Sequence, residues 1–214
     1  MKYKAAIFDL DGTLLNTIED LADSLNYALG KFDLPLRTVT EVNSFVGNGI
    51  RKLIERGVPQ GSSQNTVDKV FEDFNSHYRL HCADKTKPYD GITDLLKYMR
   101  QAGIKAAVVS NKADYAVAQL CKKYFDGLLD VAMGEKVGLN RKPAPDMVFA
   151  VLSNLGLTVA DAVYIGDSDV DIATGKNADM PVISVSWGFR KKEFLIQCGA
   201  KLIADAPSDI KSLL

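Results

Sequence analysis

Two aspartates one residue apart, Asp9 and Asp11, follow a short apolar run from Ala5 to Phe8. The run reads as a buried strand, and Gly12 after it permits a tight, irregular turn. In open α/β sheets, ligands sit just beyond the carboxyl ends of the strands. Both carboxylates would then lie where chemistry is done. Two close carboxylates repel unless a cation or a shared proton offsets their charge. Hard divalent cations such as Mg²⁺ take oxygen ligands and pair naturally with phosphate substrates. The competing reading is a surface turn, because Asp and Gly are common turn formers.

Two further strand ends carry polar residues, Ser110/Asn111 and Asp167/Ser168. A fold that converges strand ends brings such groups together. Lys142 lies in the segment Asn140-Arg141-Lys142-Pro143-Ala144-Pro145-Asp146. Pro143 and Pro145 stiffen this loop ahead of a helix. A lysine held there offers a compact positive charge to phosphate.

The elements that must position these groups follow from periodicity. Beyond Thr17, apolar residues Leu21, Leu25, Ala28, Leu29 and Phe32 recur at helical spacing. Thr17-Ile18-Glu19-Asp20 resembles a capping box with Asp in place of Glu. Further helices are predicted over 40–45, from Ile50 through Ile54, and from Val67 to about Cys82. No strand pattern occurs between Asn16 and Asp84, so 16–84 reads as an all-helical insertion. From 85 onward, predicted strands at 104–109, 128–133, 162–165, 182–185 and 202–204 alternate with helices at 92–101, 115–124, 145–155 and 171–177. That alternation predicts a parallel sheet with right-handed crossovers. The expected fold is thus α/β, a Rossmann-like three-layer core formed by 1–15 and 85–214 with a helical cap at 16–84.

Composition limits the partners. The chain has 214 residues and a formal net charge of −1, which gives no electrostatic case for nucleic acid or a membrane surface. Lys2 and Lys4 precede an apolar run that Asp9 cuts short, unlike a secretory signal. The three cysteines, Cys82, Cys121 and Cys198, are odd in number and far apart. They read as reduced thiols of a cytoplasmic protein. The expected assembly is a monomer or homodimer.

Asp9-Leu10-Asp11-Gly12-Thr13-Leu14, continued by Asn16 and Thr17, resembles the first motif of the haloacid dehalogenase-like hydrolases, in their phosphoglycolate phosphatase-like branch. Three later segments are similar to the other family motifs. The resemblance implies a Mg²⁺-dependent phosphatase acting on a small phosphorylated metabolite through an aspartyl phosphate. It implies that Asp9 is the nucleophile and Asp11 the general acid/base. It assigns Ser110, the backbone N–H at Asn111, and Lys142 to phosphate binding. Asp9, Asp167 and the backbone carbonyl of Asp11 would hold Mg²⁺, with Asp171 supporting Lys142 or a metal-bound water. The segment after motif one resembles the family's alpha-helical cap.

Alternatives on the same fold are a sugar-phosphate mutase, an inorganic pyrophosphatase and a catalytically silent binding protein. The mutases usually carry a His where Leu21 stands and an Arg where Ile50 stands, so both departures argue against that activity. The intact Asp9, Asp11, Ser110, Lys142 and Asp167 argue against a silent protein. In the insertion, Val46-Gly47-Asn48-Gly49 precedes a predicted helix. Gly47, Asn48 and Gly49, with Arg51 as a helper, are expected to contact the leaving group, because free N–H groups at a helix start suit an anion. His77 and His81 have i, i+4 spacing but no evident third ligand, and Trp187 is expected to pack in the core.

Overall fold

The structure, a computed structural model, describes residues 2–214. The chain forms two compact units. One runs through Asn16 and resumes from Pro88 to Leu214; the other is Thr17–Lys87.

The first unit is built on β1 (Ala5–Phe8), whose four residues are all buried. A strand hidden on both faces needs a continuous apolar run rather than alternation, and Ala-Ala-Ile-Phe supplies it. β4 (Lys105–Ala113), β5 (Val131–Glu135), β6 (Ala162–Gly166), β7 (Val182–Val185) and β8 (Ile203–Ala204) complete a six-stranded sheet in the order β5-β4-β1-β6-β7-β8. All of its pairings are parallel. The chain leaves β1 and returns first on one side, as β4, and later on the other, as β6. Phe8, the last residue of β1, pairs with Val108 of β4 and Ile165 of β6, so both neighbours run past the end of β1. Helices α5 (Ile92–Gln101), α6 (Asp114–Phe125), α7 (Asp146–Leu155), α8 (Asp169–Asn177), α9 (Lys192–Gln197) and α10 (Pro207–Leu213) belong to this unit. Met147, Val148, Val151 and Leu152 of α7 pack with Ile7, Ala107, Val109 and Tyr164 of the sheet.

The second unit contains α1 (Ile18–Gly30), α2 (Val39–Phe45), α3 (Ile50–Gly57) and α4 (Gln64–His81). Two very short strands, β2 (Leu15–Asn16) and β3 (Lys87–Pro88), lie where the chain passes from one unit to the other. Leu21, Leu25, Ala28 and Leu29 form the buried stripe of α1, and Val67, Val70, Phe74 and Tyr78 that of α4. The two helices pack against each other.

Several elements differ from the sequence reading. β4 runs on to Ala113 instead of stopping at Val109, with a register shift between them. The apolar signal stops at Val109, but Ser110, Asn111 and Lys112 stay buried. The helix expected from Asp171 begins at Asp169, because Ser168 caps it and its hydroxyl accepts from the Asp171 N–H. α9 and α10 were not expected; each is short, with six and seven residues. Thr17 makes no side-chain cap on α1. Asp20 is not a capping-box partner either. Its buried carboxylate accepts from the backbone N–H of Lys85 at 2.9 Å and of Thr86 at 2.8 Å.

That carboxylate accepts from two backbone donors at the end of the second unit, one of them buried. Asp20→Ala should cost about 1–3 kcal/mol, the usual penalty for orphaned buried polar groups. Asp20→Asn, which keeps one acceptor oxygen, should cost less. Urea denaturation with amide exchange at Lys85 and Thr86 measures both effects. Unchanged stability and protection in Asp20→Ala would refute the clamp.

Candidate active site

β1, β4 and β6 run side by side, and their stretches at and beyond the end of β1 bring the polar residues together. Asp9 follows β1, and its N–H donates to the Ile165 carbonyl of β6 at 2.9 Å. Its Oδ1 accepts from the Leu10 N–H at 2.7 Å and pairs with Lys142 Nζ at 2.9 Å. Both contacts fall on one oxygen, so Oδ2 faces the site without a protein partner among the described residues.

Lys142 is the centre of the charge arrangement. Its side chain is 2% exposed, and Nζ also lies 2.8 Å from Asp171 Oδ1. Asp171 is fully buried and spoken for on both oxygens. Oδ1 accepts from Lys142 and from the Tyr164 hydroxyl at 3.2 Å, and Oδ2 from the Ser168 hydroxyl at 2.6 Å and the Ser168 N–H at 3.1 Å. The loop carrying Lys142 is fixed from β4. The Asn111 side chain accepts from the Lys142 N–H at 2.8 Å and donates to the Lys142 carbonyl at 3.0 Å. Sequence reasoning assigned Asn111 for its backbone N–H; its side chain, in addition, clamps the Lys142 peptide.

Asp167 follows β6. Its Oδ1 accepts from the Thr13 hydroxyl at 3.1 Å, and its Oδ2 from the Phe189 N–H at 2.7 Å. Two glycines make room for it. A Cβ at Gly12, where φ is +86°, would meet Asp167 Oδ2 at 2.4 Å, and one at Gly188 would meet the Asp167 Cβ at 2.3 Å. Trp187 is half-buried, not in the core as expected. Its indole N–H donates to the Thr13 carbonyl at 3.0 Å, so the segment after β7 grips the turn after β1.

Burial dominates the electrostatics. Desolvation raises the Asp9 pKa to about 7, assisted by Asp171 and Asp11 and opposed by Lys142. Burial, with Asp171 and Asp9, raises that of Asp167 well above the carboxylate range. Burial alone would lower the Lys142 pKa, but the Asp171 and Asp9 charges outweigh it and raise it well above its usual value. The cluster therefore holds more negative charge than one lysine neutralises. Carboxylate oxygens of Asp9, Asp167 and Asp171 lie within 4.8 Å of one another. An all-oxygen, charge-deficient donor set of this kind fits a hard divalent cation. Asp171 is already saturated by donors, which leaves Asp9 and Asp167 as the carboxylates able to hold one.

Ser110 is buried at the end of β4, where its Oγ accepts from the Lys112 N–H at 3.4 Å. Asp169, the first residue of α8, is 3.9 Å from Arg190. In the second unit, Gly49 caps α3 with φ +84°, and Gly47 has φ +122°. Asn48 Oδ1 accepts from Arg56, and Arg51 pairs with Asp68 at 2.5 Å and with Glu55 at 3.6 Å. Arg51 is thus held within its own unit. His77 and His81 stack on each other, and His81 pairs with Asp84 at 2.7 Å. They form a ring stack rather than a metal pair.

The sequence reading missed Tyr164, because a tyrosine in an apolar strand reads as core. It also missed Thr13, Gly188 and the Phe189 N–H, which act on Asp167. Lys112 received no role, although it stands two residues beyond Ser110 on a strand, a spacing that places both on one face. Its Nζ lies 2.9 and 3.1 Å from the two carboxylate oxygens of Asp11.

A family model described as haloacid dehalogenase-like hydrolase matches residues 6–185. A phosphoglycolate phosphatase from Aquifex aeolicus is 32% identical over 216 residues, covering 99% of this chain and 96% of that protein. One from Psychrobacter arcticus is 34% identical over 201 residues, with coverage of 88% and 86%. A crystal structure from Lactobacillus delbrueckii, a protein whose own assignment as a phosphoglycolate phosphatase is provisional, superposes with a TM-score of 0.95. It is 40% identical and covers 100% of this chain and 98% of its own.

The raised carboxylates set a pH dependence. A group whose folded pKa is raised stabilises the fold fully below its unfolded value and loses that contribution as pH rises through the folded value. For Asp9 the window runs from 3.8 to about 7. In chelator, the melting temperature should fall across it, and a bound cation should relieve the fall. Added Mg²⁺ should therefore raise the melting temperature more at about pH 8 than at about pH 5. Equal shifts at the two pH values would contradict a cation at Asp9 and Asp167.

Proposed function

This chain belongs to the haloacid dehalogenase-like hydrolase family, and from that premise we propose that it is a phosphatase of the phosphoglycolate phosphatase type, releasing phosphate from a small phosphorylated metabolite. The observation that carries the reading is the pairing of Lys142 with Asp9 at 2.9 Å beside Asp167. On this reading, Asp9 is the nucleophilic carboxylate, Lys142 the cation for phosphate and Asp167 the carboxylate for a metal, all within one buried cluster.

The chemistry follows from these residues. Asp9 Oδ2 attacks phosphorus, and the P–O bond to the leaving group breaks as the Asp9–phosphoryl bond forms. A covalent intermediate of this kind divides one difficult displacement into two easier ones. Asp11 gives a proton to the departing oxygen. In the second half, Asp11 takes a proton from water as the water oxygen bonds to phosphorus. The electron pair of the Asp9–phosphoryl bond returns to the Asp9 carboxylate. Lys142, the Ser110 hydroxyl and the Asn111 N–H hold the phosphoryl oxygens, and positioning of this kind is most of what phosphoryl transfer needs. Asp9, Asp167 and the Asp11 carbonyl would hold Mg²⁺. Bound there, the cation offsets the repulsion between Asp9 and phosphate and neutralises charge as it develops.

Phosphoglycolate carries its carboxylate one methylene from the leaving oxygen, so a panel of small phosphate monoesters tests the substrate class. It should be hydrolysed with kcat/KM at least ~10-fold above neutral esters of similar size. Asp9→Asn should lose roughly 10³-fold or more of kcat, and Asp11→Asn about 10²–10⁴-fold, with unchanged circular dichroism. Near-wild-type phosphate release by Asp9→Asn would sink the nucleophile assignment. A flat panel would sink the substrate class alone.

A further inference from the structure

Two buried lysines serve this site, and the mechanism above uses only one. Lys142 holds Asp9. Lys112, at the end of β4, holds Asp11 with its side chain 2% exposed against 15% for the aspartate. This is no surface pair of the sort that contributes almost nothing. Burying a lysine costs desolvation and side-chain freedom, and a partner must compensate for both.

The geometry is specific. Nζ touches both oxygens of the Asp11 carboxylate, at 2.9 and 3.1 Å. A contact to both oxygens fixes the rotation of the carboxylate as well as its place. The Lys112 backbone is itself anchored. Its N–H donates to Ser110 Oγ at 3.4 Å. Its carbonyl lies so near β5 that a Cβ at Gly134 would meet it at 2.6 Å. The Gly134 N–H donates to Asp114 at 2.9 Å. Asp11, by contrast, lies beyond the end of β1, partly exposed, with the positive-φ Gly12 next to it. Lys112 is the described group that ties it to the sheet.

We propose that Lys112 is a positioning residue that holds the Asp11 carboxylate in line for proton transfer. This inference rests on the phosphatase reading above and assigns a residue that the reading leaves without a role. In this role Lys112 acts through Asp11, which its Nζ holds by both oxygens. A catalytic group displaced by about 1 Å can cost on the order of 10²-fold in rate, so the tether's effect should be kinetic.

Nitrophenyl phosphate separates this role from a general loosening of the site. Its leaving group departs without a proton, so forming the aspartyl phosphate needs Asp9 and Lys142 but not Asp11. Breaking it needs Asp11, which must take a proton from water. Lys112→Met should therefore keep a burst of nitrophenolate, with a burst rate within about two-fold of wild type. Its steady-state rate should fall by about 10–100-fold. Lys112→Arg, which keeps the charge, should recover part of that loss. If circular dichroism shows Lys112→Met unfolded, Lys112→Gln is read against Lys112→Arg in the same way. A steady-state rate within about two-fold of wild type, or burst and steady-state rates falling by the same factor, would overturn the proposal. A wild type that releases no phosphate would sink the phosphatase reading and this inference together, whereas an active wild type with an equally active Lys112→Met would sink this inference alone.

Discussion

The constraint on which this structure depends is charge balance in a dry place. Asp9, Asp167 and Asp171 are all buried, and Lys142 bridges Asp9 and Asp171 at 2.9 and 2.8 Å. An isolated ion cannot be buried at acceptable cost, so the groups persist only as a set. Tyr164 and Ser168 satisfy the remaining oxygens of Asp171. Asn111 fixes the peptide that carries Lys142. Each of these residues serves the lysine, and the lysine serves Asp9. The negative charge left over suits the cluster to a hard cation.

The sheet makes such a set possible. Parallel strands in register place the residues at and beyond the end of β1 side by side. With β1 central and its sequence neighbours arriving on opposite sides, the crevice at its end is where an open α/β sheet binds ligands. The grip of Trp187 and Gly188 on the turn after β1, and of Phe189 on Asp167, shows how closely that crevice is built. Thr13 and Phe189 together determine where Asp167 points, so the first and last parts of the site set each other's geometry.

Much of this was legible in the residues. An apolar run that breaks into Asp-x-Asp-Gly, or into Gly-Asp-Ser, marks a buried strand and its polar end at once. The α/β core and the helical insertion followed from the change of hydrophobic period. What escaped did so for physical reasons. Asp20 stands where a local cap belongs, yet its donors lie 65 and 66 residues away, a distance no local pattern reports. β4 seemed to end at Val109 because pattern equates buried with apolar. Ser110, Asn111 and Lys112 are buried and polar, and Asn111 and Lys112 serve partners elsewhere in the fold. Tyr164 escaped for the reverse reason, since its ring belongs to the core while its hydroxyl serves Asp171.

The Asp20 clamp has a consequence for how the chain folds. It fastens the start of the inserted unit to its end, bringing Asp20 to Lys85 and Thr86. For the sheet, the stretch between β1 and β4 is a loop that must be closed before Ala5 can pair with Lys105. Closure entropy grows only slowly with loop length, and a loop whose middle has already folded with its ends together is shorter still. An insertion fastened in this way can collapse on its own local helical contacts first. The central strand then searches for its neighbour across a short tether rather than a long one. The tether is thereby shortened before the sheet forms, so an insertion of this size need not slow assembly of the sheet.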